Sequence, residues 1–106
     1  MEKSWWITRF FKWNFLIMKV TVELYGATKD LSKSNFLEFE IKKNSSIKDI
    51  KIEILEFVEK KFKGNQNLKK LIQSSAFCSE EDEIVPENYK INKNQVIGII
   101  PPIGGG

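Results

Sequence analysis

The sequence predicts a single α+β domain, a mixed sheet with one long helix packed across it. Three observations carry this. Two segments near the front alternate polar and apolar residues with a period of two, the mark of half-buried strands. One later stretch repeats apolar residues at helical spacing over several turns. A continuous apolar run near the end, Gln95-Val96-Ile97-Gly98-Ile99-Ile100, suits a strand in the middle of a sheet, buried on both faces.

In the first strand, residues 19–25, Val20, Val22 and Leu24 share one face. Residues 26–35 are polar and turn-like. Residues 35–41 alternate again, with Leu37, Phe39 and Ile41 inward and Glu38 and Glu40 outward. Strand, polar connection, strand reads as a hairpin with a long loop. Ser45 or Ser46 is placed to cap the helix, because a serine oxygen accepts from an unsatisfied N–H of the first turn. Ile47, Ile50, Ile54, Val58 and Phe62, joined by Leu55, form its apolar stripe. Lys48, Lys51, Glu53, Glu56, Glu59 and Lys60 cover much of the other side, and Gly64 is placed to end it in a left-handed conformation.

Residues 67–73 read as a short helical turn. Residues 75–79 and 83–85 read as a strand and a weaker strand around the acidic turn Glu80-Glu81-Asp82-Glu83. Residues 88–94 form a loop in which Tyr89 and Ile91 pack. Strand, strand, helix, one or two short strands and a central last strand is the β-grasp, or ubiquitin-like, architecture.

The front segment stands apart. Residues 1–17 hold all three tryptophans and carry a net charge of +2 out of the chain's +3. Trp6, Phe10, Trp13 and Ile17 fall on one helical face. The segment is too short and too interrupted by charge for a membrane span, and lacks the pattern of a signal peptide. Its plainest reading is an extension ahead of a domain that starts at Met18 and runs over 18–106; a membrane-surface or partner helix and a disordered tail are the alternatives.

The composition excludes several functions. The chain has 106 residues, one cysteine and no histidine. Histidine-based zinc sites and Cys-His or Ser-His catalysis are therefore ruled out. No internal disulfide can form, nothing points to secretion, and a cytoplasmic setting is expected. Cys78, in an apolar stretch, reads as a small core residue. The lysines of 18–106 interleave with acids, which argues against a nucleic-acid surface. No metal or bound cofactor is expected.

The most informative residues close the chain: Pro101-Pro102-Ile103-Gly104-Gly105-Gly106. Two prolines fix φ and remove two donors, so the strand cannot continue. Glycine gives up the most backbone entropy on ordering, so the tip is expected to be mobile and unpacked. A stiff stem with a thin tip suits a carboxylate presented to another protein's narrow active site. Ile99, Pro101, Pro102 and Ile103, with Phe36 as an out-of-phase aromatic on the second strand, are the candidate partner-binding cluster.

This ending resembles that of the MoaD/ThiS sulfur-carrier family, which closes on an apolar strand, Pro-Pro, a hydrophobe, a small residue and Gly-Gly. Within the family it is most similar to the small subunit of molybdopterin synthase. Residues 18–26, Met-Lys-Val-Thr-Val-Glu-Leu-Tyr-Gly, are similar to the family's opening strand, and residues 46–50 resemble the start of its helix. Three features depart from the pattern: Lys93-Asn94-Gln95 replaces an Asp-Gly-Asp-like turn, the acidic turn 80–83 is long, and Gly104 adds a third glycine. Asn94 is expected to supply left-handed geometry in place of glycine.

The resemblance implies a mechanism. An ATP-dependent activating enzyme, a MoeB-like adenylyltransferase, adenylates the Gly106 carboxylate. Sulfur from a persulfide donor replaces AMP, leaving a terminal 1-thioglycine, a thiocarboxylate. A MoaE-like large subunit then receives the tail, with Gly104 and Gly105 in its channel, and the sulfur passes to a pterin precursor of the molybdenum cofactor. The chain itself is a carrier subunit rather than a catalyst. A carrier for thiamin, tRNA thiolation or cysteine synthesis, a ubiquitin-like modifier, or an inert β-grasp binding module are the alternatives.

Overall fold

The computed structural model describes residues 17–102. The front segment up to Leu16, with Trp6, Phe10 and Trp13, and the tail residues Ile103, Gly104, Gly105 and Gly106 lie outside the described residues.

Strand β1 (Ile17–Leu24) begins two residues earlier than its alternation suggests. Ile17 opens this strand opposite Lys42, so it is not the last member of a helical face. Met18, Val20, Val22 and Leu24 are all buried. The connection that follows is not a plain turn. Gly26–Leu31 forms a 3-10 helix whose Thr28 and Leu31 are buried. Strand β2 (Phe36–Lys42) returns antiparallel to β1, with Leu37 and Ile41 buried and Phe39 half-buried.

A two-residue strand, β3 (Ser45–Ser46), leads into helix α1 (Ile47–Lys61). Ser46 is the N-cap, and its N–H donates to Asp49 Oδ2 at 2.9 Å. The next two N–H groups are satisfied from across the chain, Ile47 by Tyr89 O and Lys48 by Glu87 O. Ile47, Ile50, Ile54 and Val58 are fully buried, each such side chain contributing about 1.5–3 kcal/mol of transfer energy. Lys63 and Gly64 both have positive φ, and Gly64 N–H donates back to Val58 O, which ends the helix.

Helix α2 (Gln66–Ser74) is longer than the expected turn, because the Asn65 side chain caps it by accepting from Leu68 N–H at 3.1 Å. Strands β4 (Ala76–Cys78) and β5 (Ile84–Val85) flank the acidic turn, in which Asp82 takes a left-handed φ of 61°. β6 (Lys90–Ile91) pairs with β3 as a small second sheet, with Tyr89 and Ile91 packed on the core. β7 (Gln95–Ile100) completes the main sheet.

The main sheet has the order β2-β1-β7-β4-β5. β7 is central, parallel to β1 and antiparallel to β4. The sheet's inner face packs against α1. Lys51 Nζ ties α1 to α2 and to the loop before β6 by donating to Gln73 O at 3.0 Å and to Glu87 Oε2 at 2.7 Å. Asn94 is not left-handed; its side-chain oxygen accepts instead from Lys19 N–H at 2.9 Å, and that bond holds the entry to β7 beside β1. β7 is also less enclosed than its apolar run suggests, because Val96 faces outward and is 38% exposed.

Candidate functional site

The site is the end of β7 where the chain leaves the domain. Parallel pairing with β1 sets Leu24 beside Ile99, so the exit of β7 and the exit of β1 lie at one end of the sheet. Pro101 and Pro102 follow without N–H donors, and the ladder ends at Ile100.

The expected apolar cluster divides. Ile99 is not exposed at all; it is a core residue opposite Phe77, on the same inward face as Ile97. The outward residue is Ile100, which is half-buried, as is Pro101, while Pro102 is exposed. Phe36 is 43% exposed and lies two strands from β7, about 10 Å away at ordinary strand spacing. Ile103 and the three glycines lie outside the described residues.

The registers place Phe36, Glu23, Gly98, Cys78 and Ile84 in one row across the open face of all five strands. Gly98 is the low point of this row. A Cβ there would come within 2.7 Å of Cys78 Sγ and 3.1 Å of Tyr25 Cε2. The Cys78 thiol and the Tyr25 ring therefore close over the glycine. Tyr25 is 39% exposed and Ile84 64% exposed, and with Phe36 and Val96 they are the large apolar side chains that the open face leaves in water. Charges of both signs stand among them: Glu23, Glu38 with Lys19 at 3.5 Å, Glu40 and Lys42 on the strands, and Glu80 to Glu83 in the turn, with Lys93 4.0 Å from Glu80. Glu80 reaches back to accept from Val96 N–H at 3.2 Å. A hydrogen bond from the phenol to Glu23, with burial and the same carboxylate's charge adding, pushes the Tyr25 pKa above its ordinary value.

Beside the tail root, a groove of about 660 Å³ opens between the 3-10 helix and α2. Tyr25, Ala27, Lys70, Leu71, Ile100 and Pro101 are among its walls. Among the described residues no cluster of acidic or sulfur ligands can hold a metal ion. Nor is any helix among them long and apolar enough to cross a membrane.

Sequence reasoning missed Tyr25, Val96 and Ile84. A signal existed for the first two. Each is one step out of phase with a buried neighbour, Leu24 or Ile97, and period-two parity sends both outward. Ile84 lies in a two-residue strand too short to show a period.

No protein-family model matches the sequence, and no curated protein matches it. Solved structures do. A Pyrococcus furiosus protein assigned as molybdopterin converting factor, subunit 1, is 21% identical with a TM-score of 0.61, over 81% of this chain and 99% of that one. SAMP1 from Haloferax volcanii is 11% identical with a TM-score of 0.60, over 83% of this chain and 99% of its own. The ubiquitin of Caldiarchaeum subterraneum is 13% identical with a TM-score of 0.52, over 85% and 99%. The chain has the β-grasp, ubiquitin-like fold that these structures share.

Proposed function

We propose that this β-grasp chain is a sulfur carrier of the MoaD/ThiS type, acting as the small subunit of a molybdopterin synthase. The observation that carries this reading is where the tail is rooted. Pro101 and Pro102 follow the central strand of the sheet, and Ile103-Gly104-Gly105-Gly106 come after them in sequence. The domain holds the root of the tail, and the partners supply the chemistry.

In this reading a MoeB-like adenylyltransferase transfers AMP from ATP to the Gly106 carboxylate, and pyrophosphate leaves. The terminal sulfur of a persulfide donor then attacks the acyl adenylate and displaces AMP, and a thiol cleaves the resulting acyl disulfide, leaving the thiocarboxylate and a disulfide on the donor. A MoaE-like large subunit receives the loaded tail, and the sulfur passes to the pterin precursor. Glycine suits this role because no Cβ hinders attack at the carbonyl or passage through a channel. The absence of histidine from the sequence fits a protein that presents a reactive end rather than working on it. Setting and partners follow from the same reading: a cytoplasmic protein with no resident cofactor.

The likeness to SAMP1 and an archaeal ubiquitin keeps a protein-modifier role as the second reading. It uses the same glycine but ends in an amide to a lysine. The Pro101-Pro102 stem favours the carrier. The test is ATP–pyrophosphate exchange with the adenylyltransferase encoded in the same genome, read with the intact mass of the product. A carrier gains the mass difference between sulfur and oxygen at its terminus. A ladder of lysine conjugates with no thiocarboxylate would transfer the assignment to the modifier.

A further inference from the structure

Tyr25 joins β1 to the 3-10 helix, whose first residue is Gly26, and the two stand against the point where the chain leaves β7. Gly26 has a φ of +56°, in the left-handed region. A Cβ on it would lie 3.0 Å from Pro101 Cγ and 3.7 Å from Pro101 Cδ. The proline ring thus rests on a stretch of bare backbone and is half-buried there. Tyr25 is held on both sides of this seat. Its carbonyl accepts from Thr28 N–H at 3.1 Å and from the Thr28 hydroxyl, and its ring lies over Gly98.

We infer that Tyr25 and Gly26 are positioning residues for the carboxyl-terminal glycines, a collar that seats Pro101 and sets the direction in which the tail leaves the domain. The inference rests on the carrier reading above and adds a site to it. The role is one of placement at Pro101, away from the chemistry itself. Gly106 is the fifth residue after Pro101, a reach of at most about 18 Å. Pro101 and Pro102 have fixed φ, so a change of tilt at the root is passed outward rather than absorbed there. Misplacing a reacting group by about 1 Å costs on the order of a hundredfold in rate. Docking of the sheet's open face does not depend on that tilt. The collar therefore belongs to turnover rather than to encounter.

The test uses the full chain and Gly26→Asn. Asparagine tolerates left-handed backbone, so the change adds a Cβ against Pro101 with little local strain. Two measurements are made. In the free protein, nuclear Overhauser signals between Gly26 Hα and the Pro101 ring report the seat. In ATP–pyrophosphate exchange with the MoeB-like adenylyltransferase, kcat and KM for the carrier are read separately. The expected result for Gly26→Asn is a weakened or shifted Overhauser signal at Pro101, a kcat down by roughly tenfold or more, and a KM within about twofold of the parent. Pro101→Ala should lower kcat alike, and the double variant should have a kcat no worse than either single one, because both remove the same seat. A kcat held at the parent value after the Overhauser signal has vanished overturns the collar, as does an effect confined to KM. A parent chain that supports no exchange at all overturns the carrier reading instead, and the Overhauser signals of the parent keep the two failures apart.

Discussion

On the helix side of the main sheet, Val20, Val22, Ile97 and Ile99 are buried completely beneath α1. One step away along the same chain, Tyr25, Phe36 and Val96 point the other way, each with more than a third of its surface in water. Strand periodicity alone separates the two sets. The inner face is a closed apolar layer with aromatic contacts at its edge, Phe39 to Phe57 at 6.5 Å and Phe57 to Phe62 at 6.0 Å. The outer face mixes these apolar side chains with Lys19, Glu23, Glu38, Glu40 and Lys42, and no element among the described residues packs on it. Burial on one side stabilises the fold; in the proposed function the other side is the one that meets a partner.

The sharpest way to break this division is at the tail. Deleting Gly106, deleting Gly105 and Gly106 together, or adding one residue after Gly106 is expected to abolish thiocarboxylate formation. Global stability should move by no more than about 0.5 kcal/mol, as for other changes outside a core. Gly105→Ala and Gly106→Ala should fall between deletion and a neutral change, because one methyl must enter a channel shaped for none. Denaturant unfolding beside intact mass checks both halves. A blocked tail that still became a thiocarboxylate would end the carrier proposal.

On the inner face the expectation reverses. Ile54→Ala should cost about 2–5 kcal/mol by urea unfolding, since Ile54 is fully buried beneath the sheet and the cavity cannot collapse fully. Adenylation under conditions where the variant stays folded should be unchanged. A loss of exchange activity larger than the loss of folded protein would mean that the two faces are coupled.

Gly98→Ala tests where the faces meet. The added methyl has to displace the Cys78 thiol or the Tyr25 ring, so a cost of about 1–3 kcal/mol is expected. Cys78→Ala should relieve part of it, which a double-mutant cycle would show. Additive costs would mean that Tyr25 alone closes the space.

How far these faces can be read from the sequence depends on period and length. The inward residues of β1 and β2 and the apolar stripe of α1 are legible because each pattern runs for several repeats. Three features are not. Residues 26–35 carry only two buried anchors, Thr28 and Leu31, so a 3-10 helix looks like a polar loop. The pairing of Ser45–Ser46 with Lys90–Ile91 is made by tertiary contact and leaves no local trace. At the tail root, closeness to the prolines points to an exposed Ile99. Parity with Ile97 puts it inside and leaves Ile100 as the residue that turns outward. The tail is readable as a motif, but the Gly26 seat under Pro101 joins residues 75 apart in sequence and leaves no pattern in it.

A smaller effect is expected on the open face. Phe36→Ser should leave stability within about 0.5 kcal/mol, because the side chain gives the core little. If the face docks the adenylyltransferase or the large subunit, the same change should weaken binding by about 1–3 kcal/mol in calorimetry. Unchanged affinity, with the fold intact, would confine the partner surface to the tail and its root.

The smallest effect should come from the ion pair that ties α1 to the loop before β6. The Lys51 ammonium, 2.7 Å from Glu87 Oε2, holds the Glu87 carboxyl below its usual range, first by hydrogen bonding and then by charge. A carboxylate whose folded pKa is lowered stabilises the protein above its unfolded pKa. That contribution is lost as the pH falls through the lowered value. Glu87 is largely exposed, so water screens the pair and the effect is modest. Lys51 is better covered and keeps its second bond to Gln73 O after Glu87 is neutralised, so the helix stays anchored. Thermal melts of the parent and Glu87→Gln should differ slightly at neutral pH and converge in acid below the lowered value. A difference that persisted there would assign the role of Glu87 to packing rather than charge.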